Sequence, residues 1–185
     1  DADLTKIPAV WHSENDPAPY IASGMAIIKD PETGIRNMSI HRQQILGPDS
    51  TGFLICPRHA LRIFQMYQAR NEPMPVAMVI GAHPALYYAA GFTSSYGLDE
   101  LTIAGGLMGE AVDLVPAKTI DLLIPANAEI IIEAEIRPGD FAEEGPFGEF
   151  AGFMSEPRPR SVATITAITH RKDPIYYGYI SQMPP

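Results

Sequence analysis

Apolar residues occur in short runs along this chain, and several runs are rich in β-branched residues that partly alternate with polar ones. Such runs are typical of β-strands, because alternate side chains of a strand point to opposite faces of its sheet. The pattern predicts strands over residues 22–28, 75–80, 128–136 and 161–168. Residues 171–174, which contain a proline, separate the last strand from an aromatic run at 175–180, and this arrangement predicts a terminal hairpin.

Two other segments carry apolar residues at helical spacing. One begins at Pro57, a favourable first residue of a helix, and places Leu61 and Phe64 on one face. The other covers residues 98–110 and has two acids near its start, where the helix macrodipole favours them. We therefore predict an α+β, mainly β domain with a few packed helices. The regular alternation of strand and helix in a doubly wound dinucleotide-binding fold is not predicted.

The composition narrows the class of protein. With 185 residues, of which 46% are hydrophobic, the chain can form one substantial core but is short for two ordinary domains. The net charge of −9 argues against a nucleic-acid surface, which needs a concentrated basic face. The apolar runs are shorter than the roughly 20 residues that a membrane-spanning helix needs. Residues 1–8 do not resemble a secretory signal. Neither a nucleic acid nor a membrane is expected as a partner.

Cys56 is the single cysteine of the chain, so an internal disulfide is impossible and a cytoplasmic protein is expected. We predict that Cys56 is a buried thiol at the end of a strand. Although His59 follows it closely, the chain offers no second Cys-His pair, and a structural zinc site is therefore not expected.

The most informative motif is 144–149, where Glu144 and Glu149 flank a Gly-Pro-Phe-Gly turn. Glycine permits backbone conformations that are closed to other residues and proline fixes its own φ, so the turn is predicted to have one defined shape. Two carboxylates held in fixed geometry can share one proton, which is a common arrangement in acid-base catalysis. The alternative is a surface loop with two solvated acids.

Arg42 lies at the end of another polar segment, 37–42. If this segment is extended, Asn37 and Ser39 lie on one face with His41, while Arg42 lies on the other face with apolar neighbours. A guanidinium in such a position requires an anion, which it can bind through two parallel hydrogen bonds. The anion could be an acid of the 144–149 turn, a phosphate or a substrate carboxylate. The alternative is a surface arginine.

Three further residues offer ligands of different kinds. Asn37 has an amide oxygen, His59 an imidazole nitrogen and Glu100 a carboxylate, and this mixed set suits manganese or a similar divalent ion. Spacing alone does not show that the three converge, and each also has an ordinary structural explanation. The turn 81–84 follows a predicted strand, so it is either a ligand-contacting loop or a simple connection.

Taken in order, residues 30–34, 37–42, 57–59, 81–84, 99–100 and 144–149 resemble the central domain of the UbiD family of reversible decarboxylases. Members of that family use prenylated FMN. The resemblance implies a split β-barrel of the flavin-reductase, FMN-binding type over residues 1–185. It also implies that the N-terminal region and the C-terminal domain of full-length members lie outside this chain.

The resemblance also implies how the cofactor is held. A divalent metal, Mn²⁺ or Mg²⁺, would tie the cofactor phosphate to the protein, and K⁺ would lie nearby on backbone oxygens around Met38 and the turn 81–84. The metal ligands would be Asn37, His59 and Glu100. The residues that contact the cofactor would be Asn37, Ser39, Ile40, Arg42, Arg58, His59, His83, Pro84 and Glu100.

For catalysis, the resemblance implies a Glu-Arg-Glu network of Arg42, Glu144 and Glu149. The cofactor would accept electrons as carbon dioxide leaves an aromatic or α,β-unsaturated carboxylic acid, and Glu149 would protonate the product. Arg42 would orient the substrate carboxylate, and Glu144 would hold Arg42. A flavin prenyltransferase would supply the cofactor, and the protein would be a homo-oligomer at full length or a complex with a companion subunit.

Two alternatives remain at this point. The chain could be a cofactor-binding module that needs a companion chain for activity, or a flavin oxidoreductase that uses plain FMN. Nothing in the second activity requires the pair Glu144 and Glu149. His41 and the residues at 43–44 depart from the commonest family pattern, so the sequence does not predict the substrate.

Overall fold

A computed structural model describes residues 2–180 of the chain. Ten strands form in chain order: β1 (Tyr20–Ile21), β2 (Met25–Lys29), β3 (Arg36–Ile40), β4 (Gln43–Gly47), β5 (Ser50–Phe53), β6 (Met74–Ile80), β7 (Leu114–Pro116), β8 (Leu123–Pro125), β9 (Ile130–Glu144) and β10 (Arg158–His170). The helices are α1 (His59–Arg70), α2 (Pro84–Gly91) and α3 (Glu100–Met108), and a 3₁₀ turn covers Leu4–Lys6. The prediction of a mainly β domain with a few helices is confirmed.

Eight strands form one antiparallel sheet in the order β1-β4-β5-β10-β9-β6-β2-β3, and β7 pairs with β8 in a separate hairpin. Among residues 2–180 the sheet is open, because β1 and β3 lie at the two ends of this order. The closure expected of a barrel is therefore not confirmed. The long strands β9 and β10 shift register twice, between Ser161 and Ala163 and between Ile165 and Ala167, which bends their ladder.

The sheet is apolar on both faces, and the alternation within its strands explains why. In β2, Ala26 and Ile28 belong to the apolar cluster that packs against α1. Met25 and Ile27 belong to a second cluster that packs against α2 and α3. β6 divides its side chains between the same two clusters. The helices thus cover opposite faces of the sheet, as the period of two residues requires.

The sequence placed four strands and two helices correctly, but two expectations are wrong. Residues 175–180 form no strand, so the terminal hairpin does not exist; instead Tyr179 donates its hydroxyl proton to the Ala22 carbonyl at 2.6 Å, and Ser23 bonds to the Tyr177 carbonyl. Cys56 is exposed rather than buried, because it lies in the loop between β5 and α1 and not within a strand. Within the described part of the chain, no helix is both long and apolar enough to cross a membrane.

Candidate functional site

Arg42 joins the two acids of the 144–149 turn. Its Nε and Nη2 donate to the two carboxylate oxygens of Glu144 at 2.9 and 3.0 Å, and its Nη1 donates to Glu149 at 2.5 Å. These are charge-assisted bonds, and the pair with Glu144 is bidentate. Arg42 lies in the two-residue link between β3 and β4 and Glu144 is the last residue of β9, so distant parts of the chain build the cluster.

The two acids have unequal surroundings. The Glu144 side chain is 1% exposed, whereas that of Glu149 is 31% exposed and that of Arg42 is 9% exposed. Glu144 therefore lies behind the guanidinium, and Glu149 lies at its open side. Burial lowers the pKa of Arg42, but its hydrogen bonds and charge interactions with Glu144, and then Glu149, outweigh burial and raise the pKa overall. Arg42 is thus a permanent cation with one carboxylate on each side.

Four residues that the sequence analysis missed support this cluster. Ser155 accepts from Nη2 of Arg42 at 3.3 Å and from the backbone N–H of Phe147 at 3.1 Å. The Phe147 ring lies 4.7 Å from the Arg42 guanidinium, within cation-π range. The Gln44 side-chain oxygen accepts from the Gly145 N–H at 2.9 Å and from the Tyr20 hydroxyl at 3.0 Å. None of these contacts has a local sequence signal, since each joins residues that are distant or of unremarkable type.

Gly145 confirms the need for glycine in this turn. Its φ is 98°, in the region that other residues rarely adopt. The Gly145-Pro146 peptide bond is cis. The prediction of a turn with one defined shape is consistent with this backbone and with the side-chain bonds that hold it.

Glu100 organises a second polar group. Its carboxylate accepts from the Asn37 amide at 3.0 Å, from the Met38 backbone N–H at 2.8 Å and from the Ser94 hydroxyl at 2.9 Å. Glu100 is 2% exposed and Asn37 is 7% exposed. Because the side-chain nitrogen of Asn37 donates to Glu100, the side-chain oxygen of Asn37 is turned towards other partners. It accepts a long hydrogen bond of 3.5 Å from the Ser39 hydroxyl. The structure thus brings Asn37 and Glu100 into direct contact.

His59 and Arg58 reach the same cleft from the start of α1. This cleft, of about 270 Å³, is lined by Asn37, Ser39, Ile40, Arg58, His59 and Glu100, among others. The His59 ring packs edge-on against Tyr96, with 5.4 Å between ring centres, and Arg58 donates to the Thr93 hydroxyl at 2.9 Å. Among residues 2–180, no three His, Cys, Asp or Glu side chains lie close enough to bind one metal ion. A metal here would need the amide of Asn37.

Two sequence candidates lie elsewhere. His83 caps the start of α2, where its Nδ1 accepts from the Ala85 N–H at 3.2 Å, and Pro84 is the first residue of that helix. Both are exposed, and neither lines the cleft around Asn37 or a separate cleft that contains Arg42.

A second cleft of about 270 Å³ lies beside the first and contains Arg42, Glu149, Phe150 and Tyr179. Both clefts are lined by Ile40, His41 and Cys56, so the three residues form a shared wall. Burial lowers the pKa of His41, and its bond to the Leu54 carbonyl offsets this only in part. Its Nδ1 lies 2.8 Å from that carbonyl and its Nε2 lies 2.8 Å from the Ser39 hydroxyl, an arrangement that suits the neutral ring.

Comparison with known proteins identifies the protein family of this chain. The family profile of the UbiD 3-octaprenyl-4-hydroxybenzoate carboxy-lyase Rift-related domain matches residues 1–184. The chain therefore belongs to the UbiD family. An uncharacterized protein of Archaeoglobus fulgidus is 36% identical over 184 residues, which are 98% of this chain and 38% of that protein.

Three solved structures are closely similar. HmfF of Pelotomaculum thermopropionicum, in complex with FMN, is 42% identical with a TM-score of 0.94, over 100% of this chain and 41% of that chain. An evolved dimeric form of HmfF contains prFMN. Vanillic acid decarboxylase of Sedimentibacter hydroxybenzoicus, in its closed form, is 30% identical with a TM-score of 0.94, over 100% of this chain and 40% of that chain.

A more distant likeness concerns the fold alone. Flavoredoxin of Desulfovibrio vulgaris is 12% identical with a TM-score of 0.54, over 90% of this chain and 76% of that chain. The fold is thus shared with flavoredoxin. The chain spans about two fifths of the length of these relatives: 41% of the HmfF chain and 38% of the Archaeoglobus protein.

Proposed function

We propose that this chain is the prenylated-FMN-binding catalytic domain of a reversible carboxy-lyase, with the split β-barrel fold of FMN-binding proteins. The observation that carries the proposal is the Arg42 cluster, in which one guanidinium joins a buried carboxylate and a half-buried one at the mouth of a cleft. Family membership and the flavin complexes of HmfF support it. Plain flavin hydride transfer gives no reason for such a cluster.

The donors of the Asn37 cleft fit the phosphate end of such a cofactor. Asn37, His59 and Glu100 offer an oxygen, a nitrogen and a carboxylate to Mn²⁺ or Mg²⁺, and Arg58 adds a positive charge on the same wall. K⁺ would lie on nearby backbone oxygens. Ser39 and Ile40 continue this wall towards Arg42. When bound, prenylated FMN supplies the electron sink for loss of carbon dioxide.

The Arg42 cluster would then divide the work of binding and proton transfer. Nη1 of Arg42 donates to Glu149 through one hydrogen and has no second partner among the described residues, so it can also hold a substrate carboxylate. Glu149 lines the cleft and is the acid that can exchange a proton with a ligand there. Glu144 holds the guanidinium from behind through both oxygens. The arrangement orients the substrate acid and brings a proton donor to the carbon that loses the carboxylate.

The substrate is proposed to be an aromatic or α,β-unsaturated carboxylic acid, with carbon dioxide as the second product. One relative is a vanillic acid decarboxylase, which acts on an aromatic acid. A flavin prenyltransferase would supply the cofactor, as the family resemblance implies. We further propose that the active form is a homo-oligomer or a complex with a companion chain.

The experiment is to combine the chain with prenylated FMN, Mn²⁺ and K⁺ and to follow carbon dioxide release, and exchange with labelled bicarbonate, over a panel of aryl and acrylic acids. Arg42→Ala and Glu149→Gln should each lower turnover at least about a hundredfold, the usual contribution of a general acid or base. Glu143→Gln, an exposed acid beside Glu144, is the matched control and should leave turnover unchanged. Equal turnover in all four proteins would refute the assigned roles.

One observation favours a second candidate, a cofactor-binding module that needs a companion chain. The chain spans 41% of the HmfF chain, and closure by other parts often completes such sites. In that case the chain binds prenylated FMN, as its absorption spectrum would show, but turns over only after the companion is added. A chain that instead purifies with unmodified FMN and transfers hydride would be a flavin oxidoreductase, and the carboxy-lyase proposal would be wrong.

A further inference from the structure

Glu144 has a second arginine neighbour, Arg160, besides Arg42. Nε of Arg160 lies 3.8 Å from the Glu144 oxygen that also accepts from Nη2 of Arg42. That Nε is buried and makes no hydrogen bond to any described residue. A buried N–H without a partner is rare in proteins and calls for an explanation. Among the acids at positions 2–180, Glu144 is the one that the structure pairs with Arg160.

The register of the sheet makes this contact specific. Arg158, not Arg160, lies directly opposite Glu144 in the ladder between β9 and β10. The Arg158 side chain is 63% exposed and bonds to Glu156 at 3.2 Å instead. Arg160 is the diagonal neighbour, a position from which long side chains still reach across a sheet. Its side chain is 31% exposed, so its outer part meets solvent while Nε lies against Glu144.

Glu144 is closely confined on its remaining side. A Cβ at Gly52 would lie 3.2 Å from the Glu144 Cγ. The methylene part of the Glu144 side chain therefore lies against β5, and its carboxylate lies beside two guanidinium groups. Its orientation decides whether both oxygens face Arg42, and a second cation at the shared oxygen favours that orientation.

We propose that Arg160 is a positioning residue, which fixes the Glu144 carboxylate so that both of its oxygens hold the Arg42 guanidinium. The consequence for turnover rests on the proposed function, but the contact itself does not. Loss of Arg160 should free Glu144 to rotate and Arg42 to move at the edge of the cleft. Binding of a substrate carboxylate by Nη1 should suffer less than the step that needs fixed geometry between Arg42 and Glu149.

The first test needs neither cofactor nor substrate. Solvent exchange of the Arg42 Nε proton is measured by ¹⁵N NMR in the chain and in Arg160→Gln, Arg160→Lys and Arg158→Gln. Arg160→Gln should speed exchange of the Arg42 Nε proton about tenfold, which lies within the range of interaction energies between residues of one hydrogen-bond network. Arg160→Lys should restore much of the protection, and Arg158→Gln should not change it. Exchange of the β6 backbone amides reports global unfolding and separates it from the local effect.

Epistasis and kinetics complete the test. In a Glu144→Gln background, Arg160→Gln should give no further acceleration, because the carboxylate through which it acts is gone. With prenylated FMN and substrate, Arg160→Gln should lower kcat about tenfold with little change in KM. Unchanged Arg42 exchange in Arg160→Gln, or equal effects of Arg160→Gln and Arg158→Gln, would overturn the inference. Absence of turnover in the unmodified chain would count against the proposed function and leave the exchange result to decide the role of Arg160.

Discussion

Replacing Glu144 should cost far more stability than replacing Glu149, although both bind the same arginine. Glu144→Gln removes the charge from a side chain that is 1% exposed and weakens two hydrogen bonds of 2.9 and 3.0 Å. Removing one partner of a buried ion pair typically costs about 3 to 5 kcal/mol. Since Glu149 still compensates part of the Arg42 charge, we expect about 3 kcal/mol, at the lower end of that range.

Glu149→Gln should cost only about 1 kcal/mol, because its side chain is 31% exposed and makes one bond to Arg42. Urea unfolding followed by circular dichroism measures both. With a slope of roughly 2 kcal/mol per molar, the midpoint should fall by about 1.5 M in the first variant and about 0.5 M in the second. Glu143→Gln, whose side chain is exposed, is the control. A Glu144→Gln midpoint no lower than that of Glu149→Gln would refute the claim that Glu144 anchors Arg42.

Two further predictions concern His41, in the wall shared by the clefts, and Gly52, which lies against Glu144. Burial holds the pKa of His41 below its ordinary value of 6.5. Below pH 6.5 the unfolded chain therefore binds a proton at His41 more readily than the folded protein does. The contribution of neutral His41 to stability is complete above pH 6.5 and is lost as the pH falls below 6.5. Between pH 7.5 and 5.5 the free energy of unfolding, measured with urea, should therefore fall more in the unmodified chain than in His41→Gln. His170→Gln, which replaces an exposed histidine, is the control. An equal fall in His41→Gln and the unmodified chain would contradict the prediction. Gly52→Ala should lower the free energy of unfolding by about 1 to 3 kcal/mol, because the added carbon overpacks against Glu144. Gly47→Ala, whose added carbon would lie no closer than 3.7 Å to its neighbours, should lower it less. Equal losses in the two variants would show that the Glu144 side chain can move aside at no cost.

Much of the fold followed from local patterns. β6 and the first half of β9 are predictable because apolar residues dominate both, several of them β-branched, and each is mostly buried along that length. The end of β9 is polar and exposed in part, which is why its extension to Glu144 was not predicted. The prediction of a terminal hairpin failed for a different reason: the aromatic run bonds to Ala22 and Ser23 through Tyr179 and Tyr177 and forms no strand.

The site was predictable only where glycine and proline mark an unusual backbone. The turn 144–149 contains such glycine and proline residues, and its acids were therefore predicted as one possible anion partner of Arg42. Gln44, Ser155 and Arg160 have none, because ordinary polar residues become important here only through register and distance along the chain. No periodicity in a single sequence specifies such pairings.

The wall shared by the two clefts has a consequence for how this sequence can vary. Asn37 and Arg42 are five positions apart, a span of roughly 17 Å if the segment is extended. Asn37 lines one cleft and Arg42 the other, and in an extended segment residues five positions apart project to opposite sides. A change of side chain at position 40 alters the wall locally. An insertion or deletion of one residue between them would turn one group to the wrong side and shift it by roughly 3.3 Å. The length of this segment is therefore a stricter requirement than the identity of most residues in it, and ligands that occupy both clefts must match that length.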